Sequence, residues 1–326
     1  MHRRTVLLGT LGLAAQWPAR AQARVARIGI LSARSRSTPQ LRDVYFDAFL
    51  SGMRELGYVE GKNLQLEWRF ADGRFDHLPA LAAELVKTKP DIIVSHSTPG
   101  TLALQKITKT VPIVITSLTD PVGSGLVASL AKPGGNITGL SIRADDVTPK
   151  QIELLQQIIP GLSRLGVLMN PDTAFHPRIL NSMQALAQRL NLRVLPVQAR
   201  TVGEIAQAME KLARDGAQAV VVLSDSFFSM QRHAVGAASL KNRLVQMYVD
   251  RILVEAGGMI SYGTNVAESY RRAAGYVDRI LKGAKPAELP IEEPASYDLA
   301  INRSTAKALG VKIPSDLLVR ANELID

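Results

Sequence analysis

Short apolar runs alternate with longer amphipathic stretches along most of this chain, starting near residue 25. Apolar runs of about four to eight residues are typical of buried strands, and apolar positions three and four apart are typical of helices. Their alternation favours a parallel sheet flanked by helices. The pattern predicts strands at 25–31, 63–70, 91–95, 111–116 and 136–142, with helices at 44–56, 78–87, 99–109 and 122–131.

The second half of the chain repeats this order of elements. The third strands match best, with IIVSHSTP at 92–99 beside VVVLSDSF at 220–227. We therefore expect two similar doubly wound α/β lobes. The second set comprises strands at 164–169, 192–197, 217–223 and 244–248, and helices at 178–190, 202–214 and 229–241.

The segments after residue 248 depart from the repeat. They predict a helix at 250–256, a strand at 258–262, a long helix at 267–282, a strand at 297–301 and a helix at 304–309. In a two-lobed fold these segments cross between the lobes and form a hinge of several strands. The expected division is a leader at 1–23, a first lobe of 24–142 plus 263–289, and a second lobe of 143–262 plus 290–326.

The first 23 residues have the pattern of an export signal. Arg3 and Arg4 precede an apolar run at 6–15 that is too short to span a bilayer, and small residues follow at 19–23. The paired arginines fit either the twin-arginine or the general secretory route. We expect cleavage near 21–23 and a periplasmic mature protein. The chain has no cysteine, so it forms no disulfide and carries no lipid anchor on a cysteine.

Charge and composition point away from nucleic acid. The formal net charge is +10, but the basic residues are scattered and aromatic residues make up only 5% of the chain. A nucleic-acid site needs a basic surface interleaved with aromatic side chains. We expect no nucleic-acid partner, and a generally solvated basic surface that favours acidic solutes or membrane-surface partners is the better interpretation.

Polar loops follow most of the predicted strands. Ligands of parallel sheets bind beyond the carboxyl ends of the strands. These loops are rich in Ser, Thr, Asp and Asn, which cap helices and lie beside free backbone N–H groups. For each loop, capping alone and ligand contact both stay open, and His96 is either a surface residue or part of a binding wall. The loops lie at 32–37, 95–99, 117–121, 170–173 and 224–227.

No catalytic or cofactor motif emerges. Residues 123–128 match the dinucleotide pattern GxGxxG/A, but they follow the fourth strand of their half, so Gly123 and Gly125 are expected to allow close helix packing instead. The histidines lack the paired spacing of a metal site, and neither GxSxG nor a phosphate loop occurs. Nothing in the sequence requires Asp120 and Asp225 to approach each other as the pair of carboxylates that glycoside hydrolysis needs. We expect no enzyme activity, no cofactor and no metal.

Four phrases resemble a known family. The segment TDPVGSGLVASLAKPGGNITGL at 119–140 closely resembles a signature of the ABC transporter substrate-binding proteins typified by tryptophan- and phenylalanine-binding members. GGMISYG at 257–263, YVDRILKGAKP at 276–286 and LAINRSTAKALG at 299–310 fit the same family. The resemblance extends from about residue 25 to the C-terminus.

The resemblance implies a type I periplasmic-binding-protein fold, with two lobes, a three-stranded hinge and a solute trapped by lobe closure. Members of this family lack enzymatic activity and pass their solute to a membrane permease driven by a separate ATPase. The implied function is capture of a small polar organic solute, such as an amino acid, for import. A sensory module that presents its solute to a membrane receptor is an alternative, and a periplasmic enzyme on the same scaffold is a weaker one.

By resemblance, residues 97–99 and 119–121 lie on first-lobe binding loops, and Asn170 and 225–226 lie on second-lobe loops. For an amino acid, hydroxyls and backbone N–H groups at 97–98 would hold the carboxylate, and Asp225 or Asp120 would face the ammonium. The loops at 95–99 and 225–228 depart from the family pattern, so the resemblance does not identify the solute. The expected ligand-binding residues are Ser32, Ser97, Thr98, Thr119, Asp120, Asn170, Asp225, Ser226 and Tyr248, the last either as an aromatic wall or as the edge of the core.

Overall fold

Two β-sheets form the framework of the molecule. A computed structural model describes residues 25–36, 43–142, 144–173, 175–293 and 297–326, so the predicted leader lies outside the described residues. In this part of the chain the first sheet consists of β1 (Ala26–Ser32), β2 (Leu64–Phe70), β3 (Ile92–Ser95), β4 (Ile113–Thr119) and β5 (Ile137–Ile142). All neighbours are parallel, in the order β2-β1-β3-β4-β5.

The second sheet is larger and contains one antiparallel pair. Its described strands are β6 (Arg164–Met169), β7 (Arg193–Gln198), β8 (Ala219–Val222), β9 (Val245–Tyr248), β10 (Ile260–Gly263), β11 (Asp298–Asn302) and β12 (Glu323–Ile325). They lie in the order β12-β11-β10-β9-β8-β6-β7, with only β10 and β11 antiparallel among them. The central strands β3 and β8 are buried on both faces, which explains why their sequences are continuous apolar runs.

Helices cover both sheets. In the described residues they are α1 (Val44–Glu55), α2 (Leu78–Lys87), α3 (Thr98–Ile107), α4 (Ala144–Ile158), α5 (His176–Arg189), α6 (Val202–Arg214), α7 (Ser226–Met230), α8 (Arg232–Lys241), α9 (Arg251–Glu255), α10 (Val266–Leu281), α11 (Arg303–Leu309) and α12 (Ser315–Arg320). We call the five-stranded sheet with α1 to α3 and α10 the first lobe. The seven-stranded sheet with the other helices is the second lobe.

The chain passes between the lobes at three places. The first passage leads from β5 to α4, and the second from β10 to α10, which packs against α1, β4 and β5. The third follows Glu292, which bridges Leu140 of β5 before the chain continues to β11. The doubly wound α/β fold in two lobes joined by several segments is therefore confirmed.

Helix α10 joins the first lobe through a close contact with α1. A Cβ atom at Gly52 of α1 would lie 2.4 Å from the backbone oxygen of Arg271 in α10. The missing side chain at Gly52 thus lets the two helix backbones approach each other. Asp43 caps α1, because its carboxylate accepts from the backbone N–H groups of Tyr45 and Phe46.

The prediction of a helix at 122–131 was wrong. This segment forms turns, with Gly125 at φ +71°, and the glycines at 123 and 125 together with Pro121 just before them favour turns over a helix. The expected helix packing by Gly123 and Gly125 was wrong for the same reason. The helix predicted at 229–241 is divided into α7 and α8, and the pattern did not predict α4, α12 or β12.

Within the described residues, no helix is both long enough and apolar enough to cross a membrane.

Candidate functional site

A polar cavity lies between the two lobes, where the strands of both sheets end. Residues after β1, β2 and β3 and at the ends of β4 and β5 form its first-lobe wall, and residues after β6, β8 and β9 form its second-lobe wall. The cavity has about 640 Å³ of empty space, including the part open to solvent.

The structure brings five of the predicted site residues to the cavity wall. These are Ser97, Thr98, Thr119, Asp225 and Ser226. The other four are not among the described residues that line it: Ser32, Asp120, Asn170 and Tyr248. Two of these four support residues of the wall, and the other two have different roles.

Ser32 lies behind the wall and positions His96. The Ser32 hydroxyl is 3.2 Å from His96 Nε2, and the backbone N–H of Ala33 donates to the same nitrogen at 3.1 Å. Nε2 is therefore the acceptor, which places the proton of a neutral ring on Nδ1. Burial, reinforced by the positive charge of Arg34, holds the pKa of His96 well below 6.5. His96 is thus a neutral, hydrogen-bonded part of the cavity wall.

The lowered pKa of His96 predicts acid destabilisation. The unfolded chain binds a proton near pH 6.5 and the folded ring does not, so stability is lost as the pH falls below about 6.5. We expect the free energy of unfolding to fall between about pH 7.5 and about pH 5.5, by at most about 1.4 kcal/mol per pH unit for this group. Guanidinium unfolding of the wild type and His96→Gln measures this, and parallel pH profiles for the two would contradict it.

The first turn of α3 contributes hydroxyls but few free N–H groups. Ser97 is its N-cap, and its hydroxyl accepts from the backbone N–H of Gly100 at 3.2 Å. The N–H of Thr101 donates to the Ser97 carbonyl, and Pro99 has no N–H. Of residues 98–101, Thr98 therefore has the one N–H for which the described residues provide no acceptor.

Asp225 is the centre of a hydrogen-bond network on the second-lobe wall. Its carboxylate accepts from the Thr173 hydroxyl at 2.5 Å, the Asn170 side-chain amide at 3.3 Å and the backbone N–H of Phe227 at 2.8 Å. Asn170 thus holds Asp225 from behind the wall. These bonds fix the orientation of a carboxylate that is 9% exposed and faces the cavity.

Asp120 is used for contact between the lobes rather than for lining the cavity. It follows β4 with a left-handed backbone at φ +47°, and its Oδ1 accepts from the N–H of Gly123. Its Oδ2 lies 3.1 Å from Nη2 of Arg178 on α5, in the second lobe. Asp120 was one of two acids expected to face a ligand ammonium, and in the structure its carboxylate pairs with Arg178 and is not among the described residues that line the cavity.

Tyr248 belongs to the core, which corrects its prediction as an aromatic wall. It is 1% exposed, and a Cβ atom at Gly258 would lie 2.3 Å from its ring. The residue ends β9 with its side chain turned into the second lobe. Packing on Gly258, which sequence pattern alone does not reveal, explains this orientation.

Among the cavity residues that the sequence did not single out, four carry a charge or a phenyl ring. Asp250, two residues after β9, accepts a hydrogen bond from the Tyr45 hydroxyl of the first lobe, and burial raises the pKa of its carboxyl group. Phe75 and Phe175 line the cavity from opposite lobes, and Arg34, which follows β1, also lines it. Arg34 was within a loop that the strand pattern assigned to the cleft, whereas the aromatic pair left no periodic signal.

Comparison with known proteins identifies the family. The family model described as ABC transporter substrate binding protein matches residues 37–325. This chain belongs to that family. The substrate-binding fold is also seen in a conserved domain protein of Vibrio cholerae, which is 29% identical, with a TM-score of 0.85 over 92% of this chain and 100% of that one.

Two relatives of this substrate-binding protein have named ligands. An ABC domain from Streptococcus pneumoniae solved with L-Trp is 26% identical, with a TM-score of 0.81 over 92% of this chain and 100% of that one. A tyrosine-binding protein of Clostridioides difficile is 26% identical over 81% of this chain and 76% of its own length. The predicted resemblance and the type I periplasmic-binding-protein fold are thus confirmed.

We expect the Asp120–Arg178 ion pair of this substrate-binding protein to make a small, salt-dependent contribution to solute binding. The side chains are 30% and 47% exposed, so the pair contributes at most about 1 kcal/mol. We expect Arg178→Gln to weaken solute binding about two- to fivefold at low salt and not at about 1 M NaCl. Calorimetric titration at both salt concentrations measures this. Arg200→Gln, which breaks an ion pair within the second lobe, is the control, and equal losses in the two variants would contradict a role between lobes.

Proposed function

We propose that this chain is the solute-binding component of an ABC importer and captures an amino acid with an aromatic side chain between its lobes. One observation carries the proposal. The cavity combines hydroxyls from both lobes and carboxylates from the second lobe with one phenyl ring from each lobe, Phe75 and Phe175. A zwitterion with an aromatic side chain matches this combination of polar and apolar groups.

The two phenylalanines are held by their own lobes. Phe75 packs against the apolar core of the first lobe. The ring of Phe175 meets the ring of His176 edge-on, with centroids 5.0 Å apart. Each ring is therefore positioned before a solute arrives, which lowers the entropic cost of binding. The ligands named for the two relatives, tryptophan and tyrosine, are in keeping with this choice.

Lobe closure is the proposed mode of capture. The Tyr45–Asp250 hydrogen bond and the Asp120–Arg178 ion pair both join the lobes, so they favour the closed arrangement. We propose that the moving bodies are 24–142 with 263–289 and 143–262 with 290–326. The loaded protein would act as a monomer in the periplasm, without catalysis, and deliver its solute to a permease driven by an ATPase.

The test is to identify the solute and measure its binding. Mass spectrometry of the native protein identifies a co-purified molecule, and thermal shift and calorimetry follow with L-Trp, L-Tyr and L-Phe. At a hundredfold excess over Kd, a ligand stabilises the folded state by about 2.7 kcal/mol, so a rise of several degrees in Tm is expected. The solute should be recovered unchanged. Stabilisation by myo-inositol but by no amino acid, or turnover of the bound molecule, would overturn the proposal.

A further inference from the structure

Arg34 has an unused hydrogen-bonding edge at the cavity. Its Nη1 lies 3.4 Å from both carboxylate oxygens of Asp43, longer than the usual 2.7–2.9 Å or so of a charge-assisted bond. Its Nε is buried, and no group in the described structure accepts a hydrogen bond from it. A buried guanidinium donor without a partner is costly, so a ligand group that accepts from it is favoured.

The orientation of the guanidinium is set by stacking. Its central carbon lies 4.3 Å from the ring centroid of Tyr45, and the side chain of Arg34 is 13% exposed. The same Tyr45 donates its hydroxyl hydrogen to Asp250 of the second lobe. Contact between the lobes therefore also holds the ring on which Arg34 rests.

Arg34 supplies the positive charge and the N–H donors for a carboxylate that the first turn of α3 largely lacks. Of residues 98–101 in that turn, Thr98 has the one N–H for which the described residues provide no acceptor, so the turn offers few donors to a carboxylate. Of the described residues that line the cavity, Arg34 is the one with a permanent positive charge, and the neutral His96 adds none. The acids that line it, Asp225 and Asp250, both belong to the second lobe.

We propose that Arg34 is the residue that recognises the carboxylate of the solute, through Nε and its neighbouring Nη group. This inference rests on the proposed function, since it assumes an α-amino acid as solute. Two parallel N–H···O bonds from one planar guanidinium match a carboxylate and discriminate against its amide. The solute then lies with its carboxylate towards the first lobe and its ammonium towards the acids of the second.

The test pairs protein variants with ligand analogues. Calorimetry compares L-tryptophan, L-tryptophanamide and indole-3-acetate on the wild type, Arg34→Gln, Arg34→Lys and the control Arg36→Gln, which removes an exposed charge from the same loop. Arg34→Gln should weaken binding of the acid at least about fiftyfold and of the amide less than about threefold. Arg34→Lys should restore part of the loss, and Arg36→Gln should change neither ligand. Circular dichroism of each variant verifies its fold.

The outcomes distinguish a failure of the role of Arg34 from a failure of the proposed function. Equal losses for acid and amide in Arg34→Gln would overturn the role of Arg34 and leave the proposed function standing. Binding of indole-3-acetate that depends on Arg34, with no binding of any amino acid, would overturn the proposed solute and support Arg34 as the carboxylate-binding group. If no carboxylate binds the wild type, both proposals are wrong.

Discussion

Replacing Asp225 by alanine is expected to abolish most solute binding, with a loss of about a hundredfold or more. The substitution removes a carboxylate that faces the cavity and leaves the Thr173 hydroxyl, the Asn170 amide and the Phe227 N–H without their acceptor. Stranding buried donors costs about 1–3 kcal/mol each, so stability falls as well. Calorimetric titration measures the affinity, and guanidinium unfolding measures the stability.

Two further variants separate these effects. Asp225→Asn keeps an oxygen acceptor for the Phe227 N–H and is expected to retain the fold while losing most affinity for a solute that carries an ammonium group. Asp172→Ala removes a nearby exposed acid that pairs with Arg200, and it should leave binding unchanged. Wild-type affinity in Asp225→Asn would contradict a direct contact between the carboxylate and the solute.

Replacing Gly139 by alanine is expected to unfold the first lobe or to cost at least about 3 kcal/mol. Gly139 lies on β5 with φ +135°, and a Cβ atom there would be 2.1 Å from the backbone oxygen of Ile115 on β4. Neither backbone can retreat, because β4 and β5 pair there and Glu292 donates to the Gly139 carbonyl. Guanidinium unfolding and circular dichroism measure the loss.

Gly275→Ala is the matched control for this prediction. Gly275 lies inside α10, and a Cβ atom there would have no described neighbour within 4 Å. Alanine is favoured over glycine in a helix interior, so a gain of about 0.5–1 kcal/mol is expected. A cost below about 1 kcal/mol for Gly139→Ala would contradict the backbone clash as the reason for glycine at this position.

Prediction of the fold succeeded where local pattern and tertiary environment agree. The runs at β3 and β8 are apolar because both faces of a central parallel strand are covered, and that requirement is visible in one sequence. At 122–131 the apolar spacing suggested a helix, but Pro121 and Gly125 favour turns. Backbone conformation at single Pro and Gly residues outweighed periodicity in this segment.

The sequence located the loops that border the cavity, and less often the side chains that line it. Strand ends located the loops that contain Thr98, Thr119 and Asp225. The position of a loop does not determine where its side chains point, since Asp120 pairs with Arg178 and Tyr248 packs into the core. Polar residues in a loop compete for partners that come from distant parts of the chain, so spacing alone does not assign them.

The amino-acid sequence by itself determined the α/β class, the two repeated halves, the family and the loops around the cleft, because these follow from hydrophobic periodicity, strand-end chemistry and contiguous motifs. Only the tertiary structure decided which side chains face the cavity. Arg34, Asp250, Phe75 and Phe175 meet there from four separate loops. Their positions at one cavity depend on how the two sheets are oriented across the three chain passages. That orientation results from many long-range contacts, which no local segment encodes.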